Sequence, residues 1–410
     1  MEKKKNVVVV GGGAAGLMAA ITAAENNAVT VIEKNKRPAR KILITGKGRC
    51  NVTNNCDNDT LIANMTKNGR FMYSAFAAFS AADTMRFFEE NGVPLKTERG
   101  NRVFPVSDKA VSIADALVNA AQKKGVKLKN GRVEEILTEN GRACGVLLEG
   151  GETVAADAVI LATGGKSYPA TGSTGDGYAI AEKLGHTVTE IMPSLVPVKI
   201  EEGLCVKLMG LSLKNVTLSV YEEGKKKPVY EELGEMLFTH FGVSGPLVLS
   251  ASAHMRKKDV KYTMQIDLKP ALDTDKLEKR IMRDFEENSN KNFSNSLDKL
   301  LPQKLIPVMV NLSGIPGDTK VNQITRQQRL RLCELLKGFK LTVAGFCDIE
   351  EAIVTSGGIS VKEINPATME SKIIKGLYFA GELIDVDAYT GGFNLQAAFS
   401  SGALAGGSVK

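Results

Sequence analysis

Asn6-Val-Val-Val-Val10 runs directly into Gly11-Gly-Gly-Ala-Ala-Gly16. A continuous β-branched run with no polar alternation predicts a central parallel strand buried on both faces. The G-x-G-x-x-G spacing then opens Leu17-Met-Ala-Ala-Ile-Thr-Ala-Ala24, whose small, apolar content suits a helix packed on a sheet. Ala28-Val-Thr-Val-Ile32 predicts a second strand, and it ends in Glu33. That acid stands about 20 residues from the central glycine, where a ribose hydroxyl is held in a βαβ dinucleotide site. Glycines let the backbone approach a pyrophosphate, and the helix start offers free N–H groups and a positive dipole end. Gly11, Gly13, Ala14, Ala15, Gly16, Glu33 and Lys34 are therefore candidate dinucleotide ligands. An acid rather than a base at the strand end argues against a 2′-phosphate there, leaving NAD and FAD.

Length and composition bound what surrounds this unit. At 410 residues the chain exceeds one compact core and predicts two or three domains. Its 43% hydrophobic and 24% charged content is that of a soluble globular enzyme. Six cysteines without a CxxC pair and three scattered histidines give neither a disulfide framework nor a zinc pattern. No apolar run reaches the length of a membrane span and the start does not read as a signal peptide, so a reduced, cytoplasmic protein is expected. The net charge of +7 favours an anionic ligand, but the cations sit in scattered runs such as Lys123-Lys124 and Arg256-Lys257-Lys258. With 15 Phe, 8 Tyr and no Trp there is no basic stripe interleaved with aromatics, which argues against nucleic acid.

Two distant segments separate FAD from NAD. Asp157-Ala-Val-Ile-Leu-Ala-Thr-Gly-Gly165 predicts a buried strand running into a turn, with Ala162, Thr163 and Gly164 beside the first glycines. Gly376-Leu-Tyr-Phe-Ala-Gly-Glu382 predicts another strand, continuing through Asp385 to Gly391-Gly-Phe-Asn-Leu-Gln-Ala-Ala398, the start of a helix. A simple NAD site has no use for the C-terminus. A large FAD has: its flavin end needs a second helix N-terminus, where Gly392, Asn394 and Leu395 can offer N–H groups. Gly381, Glu382 and Asp385 join the candidate ligands on this reading.

These residues resemble the bacterial FAD-dependent flavoproteins of the aminoacetone-oxidase-like family, within the glutathione-reductase-type FAD superfamily. That family includes a proposed bile-acid Δ4,6-reductase. The similarity spans nearly the whole chain. It rests on Gly11–Gly16, "KILITGKGRCNVTN" (Lys41 to Asn54), "ATGGKSYPATGSTGDG" (Ala162 to Gly177), "FTHFGVSGP" (Phe238 to Pro246) and the long run from Thr368 to Gly402. The resemblance implies that Arg40, Lys41, Thr45, Gly46, Gly48, Cys50 and Asn51 line the flavin, and that the Val133 backbone meets the adenine. "TGKGRCN" is no P-loop, since Gly48 follows Gly46-Lys47 where Ser or Thr would stand. It reads as a flavin cradle, with Lys47 and Arg49 expected to compensate phosphate or reduced-flavin charge. Cys50 lacks the partner cysteine of flavin disulfide reductases and reads as a packing residue.

The expected fold is α/β: a Rossmann-like FAD domain (1–190 and 345–410) interrupted by an antiparallel β domain (191–270, returning near 335–345) with a helical subdomain (271–335). Leu195–Ile200, Val216–Glu222 and Val260–Leu268 read as strands, and Leu297–Leu301, Leu305–Val310 and Gln327–Leu336 as helical. Three residues are candidates for proton transfer: Tyr168 after the Ala-Thr-Gly-Gly turn, His240, and Tyr389 beside the flavin-facing helix. His186 and His254 read as surface or packing residues. Arg99-Gly-Asn-Arg102 reads as a turn whose arginines would suit an anionic substrate, with solvated surface arginines as the default reading.

The sequence thus predicts an FAD oxidoreductase acting on a small molecule. Only one dinucleotide fingerprint is present, so NADH or NADPH would visit the flavin in turn with the substrate. The resemblance implies reduction of an activated C=C bond in a steroid-like or other enone, with amine oxidation by O2 as the alternative. A tRNA-modifying flavoprotein is a second alternative.

Overall fold

Asn6–Val10 is the middle strand of a five-stranded, all-parallel sheet in the computed structural model, which describes residues 4–257 and 259–409. Across the sheet the order is Leu377–Phe379, Ala158–Leu161, Asn6–Val10, Ala28–Glu33 and Lys127–Asn130. The valine run is buried on both faces, as a central parallel strand requires. Strands from both ends of the chain meet here, and Ala380 N–H donates to Leu161 O at 3.1 Å.

The helix after the first strand, Ala14–Ala23, packs against the C-terminal helix, Phe393–Ser408. Glycine makes this possible. A Cβ on Gly402 would stand 2.3 Å from Ala15 O, and one on Gly406 2.2 Å from Ala19 O. These two approaches also show that the helices run parallel. The C-terminal helix starts about eight residues, or ~12 Å, further back than its neighbour.

The chain divides into two compact units, Met1–Ser194 with Asp348–Lys410, and Leu195–Cys347. The second is a closed antiparallel barrel ordered Val198–Ile200, Gly242–Ser244, Tyr230–Phe238, Ser212–Glu222, Tyr262–Asp267 and Phe339–Phe346. Helices Thr274–Glu287, Ile306–Ser313 and Arg326–Lys337 bury their apolar faces in the same core as the barrel strands. The α/β class with an inserted antiparallel domain is as the sequence predicts.

One expectation fails. Leu297–Leu301 forms turns, not a helix. Leu297, Leu300 and Leu301 are buried nonetheless, so their apolar spacing reflects packing rather than helical period. His186 is a packing residue: it is buried, edge-on to Phe379, with Nε2 2.8 Å from Ser371 Oγ. Burial holds its pKa below the usual value despite the opposing field of Glu363.

Candidate functional site

The glycine fingerprint is a tight turn with one open side. Gly11 has φ +100°, and a Cβ there would meet Ala162 O at 2.6 Å. A Cβ on Gly16 would fall 1.9 Å from Gly11 O, so both glycines are demanded by the fold itself. Gly13 differs, because a Cβ there meets nothing within 4 Å. It is the N-cap of the first helix, with no side chain capping that end. Leu17 N–H is the first amide of the helix bonded to a backbone carbonyl, Gly13 O at 2.9 Å, so those of Ala14, Ala15 and Gly16 point outward. An uncapped start with an open face is what a pyrophosphate needs.

Glu33 stands at the end of its strand beside this turn. Its Oε2 accepts Gly12 N–H at 2.7 Å, and its Oε1 accepts the backbone and side-chain N–H groups of Asn35 at 2.8 and 2.7 Å. The carboxylate therefore braces the glycine loop and retains acceptor capacity for a ribose hydroxyl. Arg40 donates to Asn35 Oδ1 at 3.2 Å, which brings it to the same place. Lys34 is committed elsewhere, with Nζ 2.7 Å from Asp176 and 2.5 Å from Thr174 Oγ1. Gly131 N–H donates to Glu33 O, which fixes the strand start at Val133 close to this end.

The second end is built by the segment 41–54 and the C-terminal helix. Its helix start is again glycine-capped without a side-chain cap, and Gln396 N–H is the first to bond back, to Gly392 O at 3.0 Å. The amides of Phe393, Asn394 and Leu395 lead outward. Gly392 has φ +99°, and a Cβ there would lie 2.3 Å from the carbonyl of Thr53. Thr53 Oγ1 in turn donates to Gln396 Oε1 at 2.6 Å, and Asn54 Nδ2 reaches Gly391 O at 3.1 Å. Asn394 pins the approach, accepting Ala388 N–H and donating to the carbonyls of Ala388 and Tyr389. Thr53, Asn54 and Gln396 are not singled out by sequence reasoning, although all three sit inside motifs that carry the resemblance.

Between the two ends lies a half-buried charge pair. Lys41 Nζ is 2.7 Å from Glu382 Oε2 and 2.6 Å from Ser167 Oγ. Glu382 Oε1 accepts Thr355 N–H at 2.8 Å and Ser167 Oγ–H at 3.0 Å. Burial alone would raise the Glu382 pKa, but the Lys41 ammonium and these donors win and hold it below the usual value. Gly381 is packed on Ala15 of the first helix, and Asp385 is buried with Oδ1 2.6 Å from Lys67 Nζ.

The loop Ile42–Gly48 turns through left-handed backbone at Gly46 and Lys47, and Cys50 (φ +62°) and Tyr168 (φ +53°) share that region. Non-glycine residues held so are costly and cluster at functional sites. Cys50 is fully buried, and its thiol is pushed up to about 12 by desolvation, against a hydrogen bond from Thr45. It is a packing thiol. Arg49 corrects an expectation: it does not serve phosphate or flavin charge, because its guanidinium lies on Glu98 and Asp108 and over the Phe104 ring at 4.2 Å.

Tyr168 is half-buried after the Ala162–Gly164 turn, and Tyr389 is half-buried just before the C-terminal helix. His240 belongs to the other unit, exposed in the turn between Tyr230–Phe238 and Gly242–Ser244.

The residues fit FAD on their own chemistry. Two uncapped helix starts lie parallel and offset along one cradle, Gly13 leaves its face open, and Thr163 Oγ1 and Asn51 Oδ1 are buried without hydrogen-bond partners. A model of the HI0933-like protein Rossmann domain matches residues 5–408. The chain belongs to that family. A 3-dehydro-bile acid delta(4,6)-reductase of Clostridium scindens is 32% identical over 383 residues, covering 92% of this chain and 91% of the relative. A ribosomal RNA dihydrouridine synthase of Escherichia coli is 32% identical over 374 residues, covering 91% and 90%. Among solved structures, 3-ketosteroid delta1-dehydrogenase from Sterolibacterium denitrificans superposes with a TM-score of 0.53 at 14% identity, covering 98% of both chains. This last likeness is one of fold. The protein is an FAD-dependent oxidoreductase.

Proposed function

We propose that this HI0933-like enzyme reduces a carbon–carbon double bond conjugated to a carbonyl, with NADH or NADPH as reductant. A bile-acid delta(4,6)-reductase and a dihydrouridine synthase differ in substrate, yet each name describes hydrogen added across a double bond. The structural observation that carries the reading is the pair of uncapped, parallel helix starts in one unit, which suits one extended flavin dinucleotide. Only one glycine fingerprint exists, so the reductant and the alkene would use the same face in turn.

Bound FAD supplies two-electron transfer between nicotinamide and substrate. The chain's residues do the rest. The helix starts at Ala14 and Phe393 would hold the two ends, and the Lys41–Glu382 pair, bridged by Ser167, braces the segments around them. The alkene gains a hydride at one carbon and a proton at the other, and NAD(P)+ leaves. Tyr168, held by its left-handed backbone, is the candidate donor of that proton.

The lead substrate is a small enone. Ribosomal RNA is the second reading, supported by the dihydrouridine synthases of Escherichia coli and Haemophilus influenzae at the same 32% identity. The test is anaerobic: mix the protein with NADH or NADPH, follow bleaching of the flavin band, then offer a 4,6-dien-3-one steroid or ribosomal RNA. Recolouring with hydrogenated product assigns the acceptor. Peroxide formation with an amine and O2, without bleaching by either nucleotide, would replace this reading with an amine oxidase.

A further inference from the structure

The strands Leu95–Glu98 and Arg102–Pro105 form a hairpin whose tip is Arg99-Gly-Asn101. Along one flank the cations are neutralised: Arg49 and Lys96 both pair with Asp108 and with Glu98, the cross-strand partner of Arg102. At the tip they are not. Arg99 and Arg102 are exposed, and neither has a carboxylate within ion-pair distance among the described residues. Arg102 Nε donates to Arg99 O at 3.0 Å, which orients its guanidinium without consuming its charge.

The tip is also fixed in place. Asn54 pairs with Arg102 across the sheet, Asn55 N–H donates to Asn101 O at 2.7 Å, and Asn54 Nδ2 bridges Gly100 O at 3.0 Å and Gly391 O at 3.1 Å. One side-chain amide therefore joins the arginine-bearing turn to the glycine pair that starts the C-terminal helix. The turn that carries the two arginines is thereby tied to the start of the C-terminal helix, the proposed flavin end of the cradle.

We propose that Arg99 and Arg102 bind an anionic oxygen group of the substrate, a carboxylate or a phosphodiester, and thereby select which alkenes the enzyme accepts. Planar guanidinium forks match both groups, and a rigid turn loses little entropy on binding them. The chemistry after binding rests on the reductase reading, but the anion site itself does not depend on turnover.

The experiment compares the FAD-loaded wild type with Arg99→Ala/Arg102→Ala and Arg99→Lys/Arg102→Lys. The probes are a 3-oxo-4-ene steroid with a side-chain carboxylate, its methyl ester, and a short uridine-containing oligoribonucleotide. Binding is read from perturbation of the flavin absorbance over a range of salt, with FAD content and melting temperature as controls on folding. The carboxylate or the oligonucleotide should bind roughly tenfold more weakly to the alanine variant, equivalent to about 1.4 kcal/mol. The ester should not change, and lysine should restore part of the loss. The probe that responds identifies the source of the anion. Equal binding of every probe to wild type and alanine variant, including no binding to either, overturns the proposal. Arginine-dependent binding with no recolouring of the reduced flavin leaves the anion site standing and removes the reductase reading.

Discussion

Gly13 and Gly16 lie in one motif, and the structure predicts opposite consequences for adding the same methyl group. At Gly16 a Cβ would sit 1.9 Å from Gly11 O, a backbone atom that cannot swing aside. Gly16→Ala must separate the helix from the strand end, at a cost of about 3 kcal/mol or more. At Gly13 the Cβ enters open space, and φ is −80°, which alanine adopts without strain. The fold should lose only ~0.5–1 kcal/mol, the usual difference between glycine and alanine at an N-cap. The methyl group would instead stand on the face where the pyrophosphate approaches Ala14 and Ala15. FAD binding should weaken at least about tenfold, or ~1.4 kcal/mol. The assay is melting temperature against added FAD, with affinity read from quenching of flavin fluorescence. Gly13→Ala should recover stability as FAD saturates, by mass action, and Gly16→Ala should not. If Gly13→Ala keeps wild-type affinity, the open face is not where the cofactor lies. If Gly16→Ala melts like the wild type, the steric argument is wrong.

Three further outcomes are expected. Tyr168→Phe should slow reoxidation of the reduced flavin by the alkene far more than flavin reduction by NAD(P)H, and equal slowing in stopped flow would make the ring a packing residue. Glu382→Gln leaves the Lys41 ammonium without its carboxylate and should cost ~2–4 kcal/mol at neutral pH, the pair being only partly accessible. Because the folded-state pKa of Glu382 is depressed, its contribution is complete above the unfolded value near 4.3 and fades as pH falls through the folded one. Denaturant melts of both proteins should therefore converge in acid, and a constant gap would refute the assignment. Cys50, with its thiol pushed up to about 12, should resist a thiol reagent in the native protein at mildly alkaline pH and react only on unfolding, as peptide mapping can show.

What can be read from the sequence is what depends on local sterics. Gly11, Gly13 and Gly16 announce a strand–turn–helix because the backbone conformation and close approaches they permit are determined within a dozen residues. Gly391-Gly392 announces the second helix start for the same reason. Charged side chains are harder. Nothing near Arg49 tells that its partners will be Glu98 and Asp108, so a cation in a glycine-rich loop looks available when it is not. Lys41 meets Glu382, Ser167 and, through them, Thr355, four positions that only the folded chain brings together. Leu297–Leu301 shows the converse error, since apolar spacing alone does not separate a buried turn from a helix.

The register of the two helices explains why this protein needs both ends of its chain to make one site. On the proposed reading the first βαβ unit would supply a helix start for the pyrophosphate, but that start reaches no further than its own first turn. A second start must lie on the same side, displaced by the length of the group to be held. Antiparallel packing would put it at the wrong end. The Gly402 and Gly406 approaches to Ala15 and Ala19 enforce parallel packing and, with it, the ~12 Å offset. The Thr53 carbonyl, wedged where a Gly392 side chain would be, then ties that distant start to the loop running out from Glu33. The geometry of the proposed cradle thus depends on Gly402 and Gly406, and a larger residue at Gly402, whose Cβ would stand 2.3 Å from Ala15 O, would push the C-terminal helix and its start away from the first fingerprint.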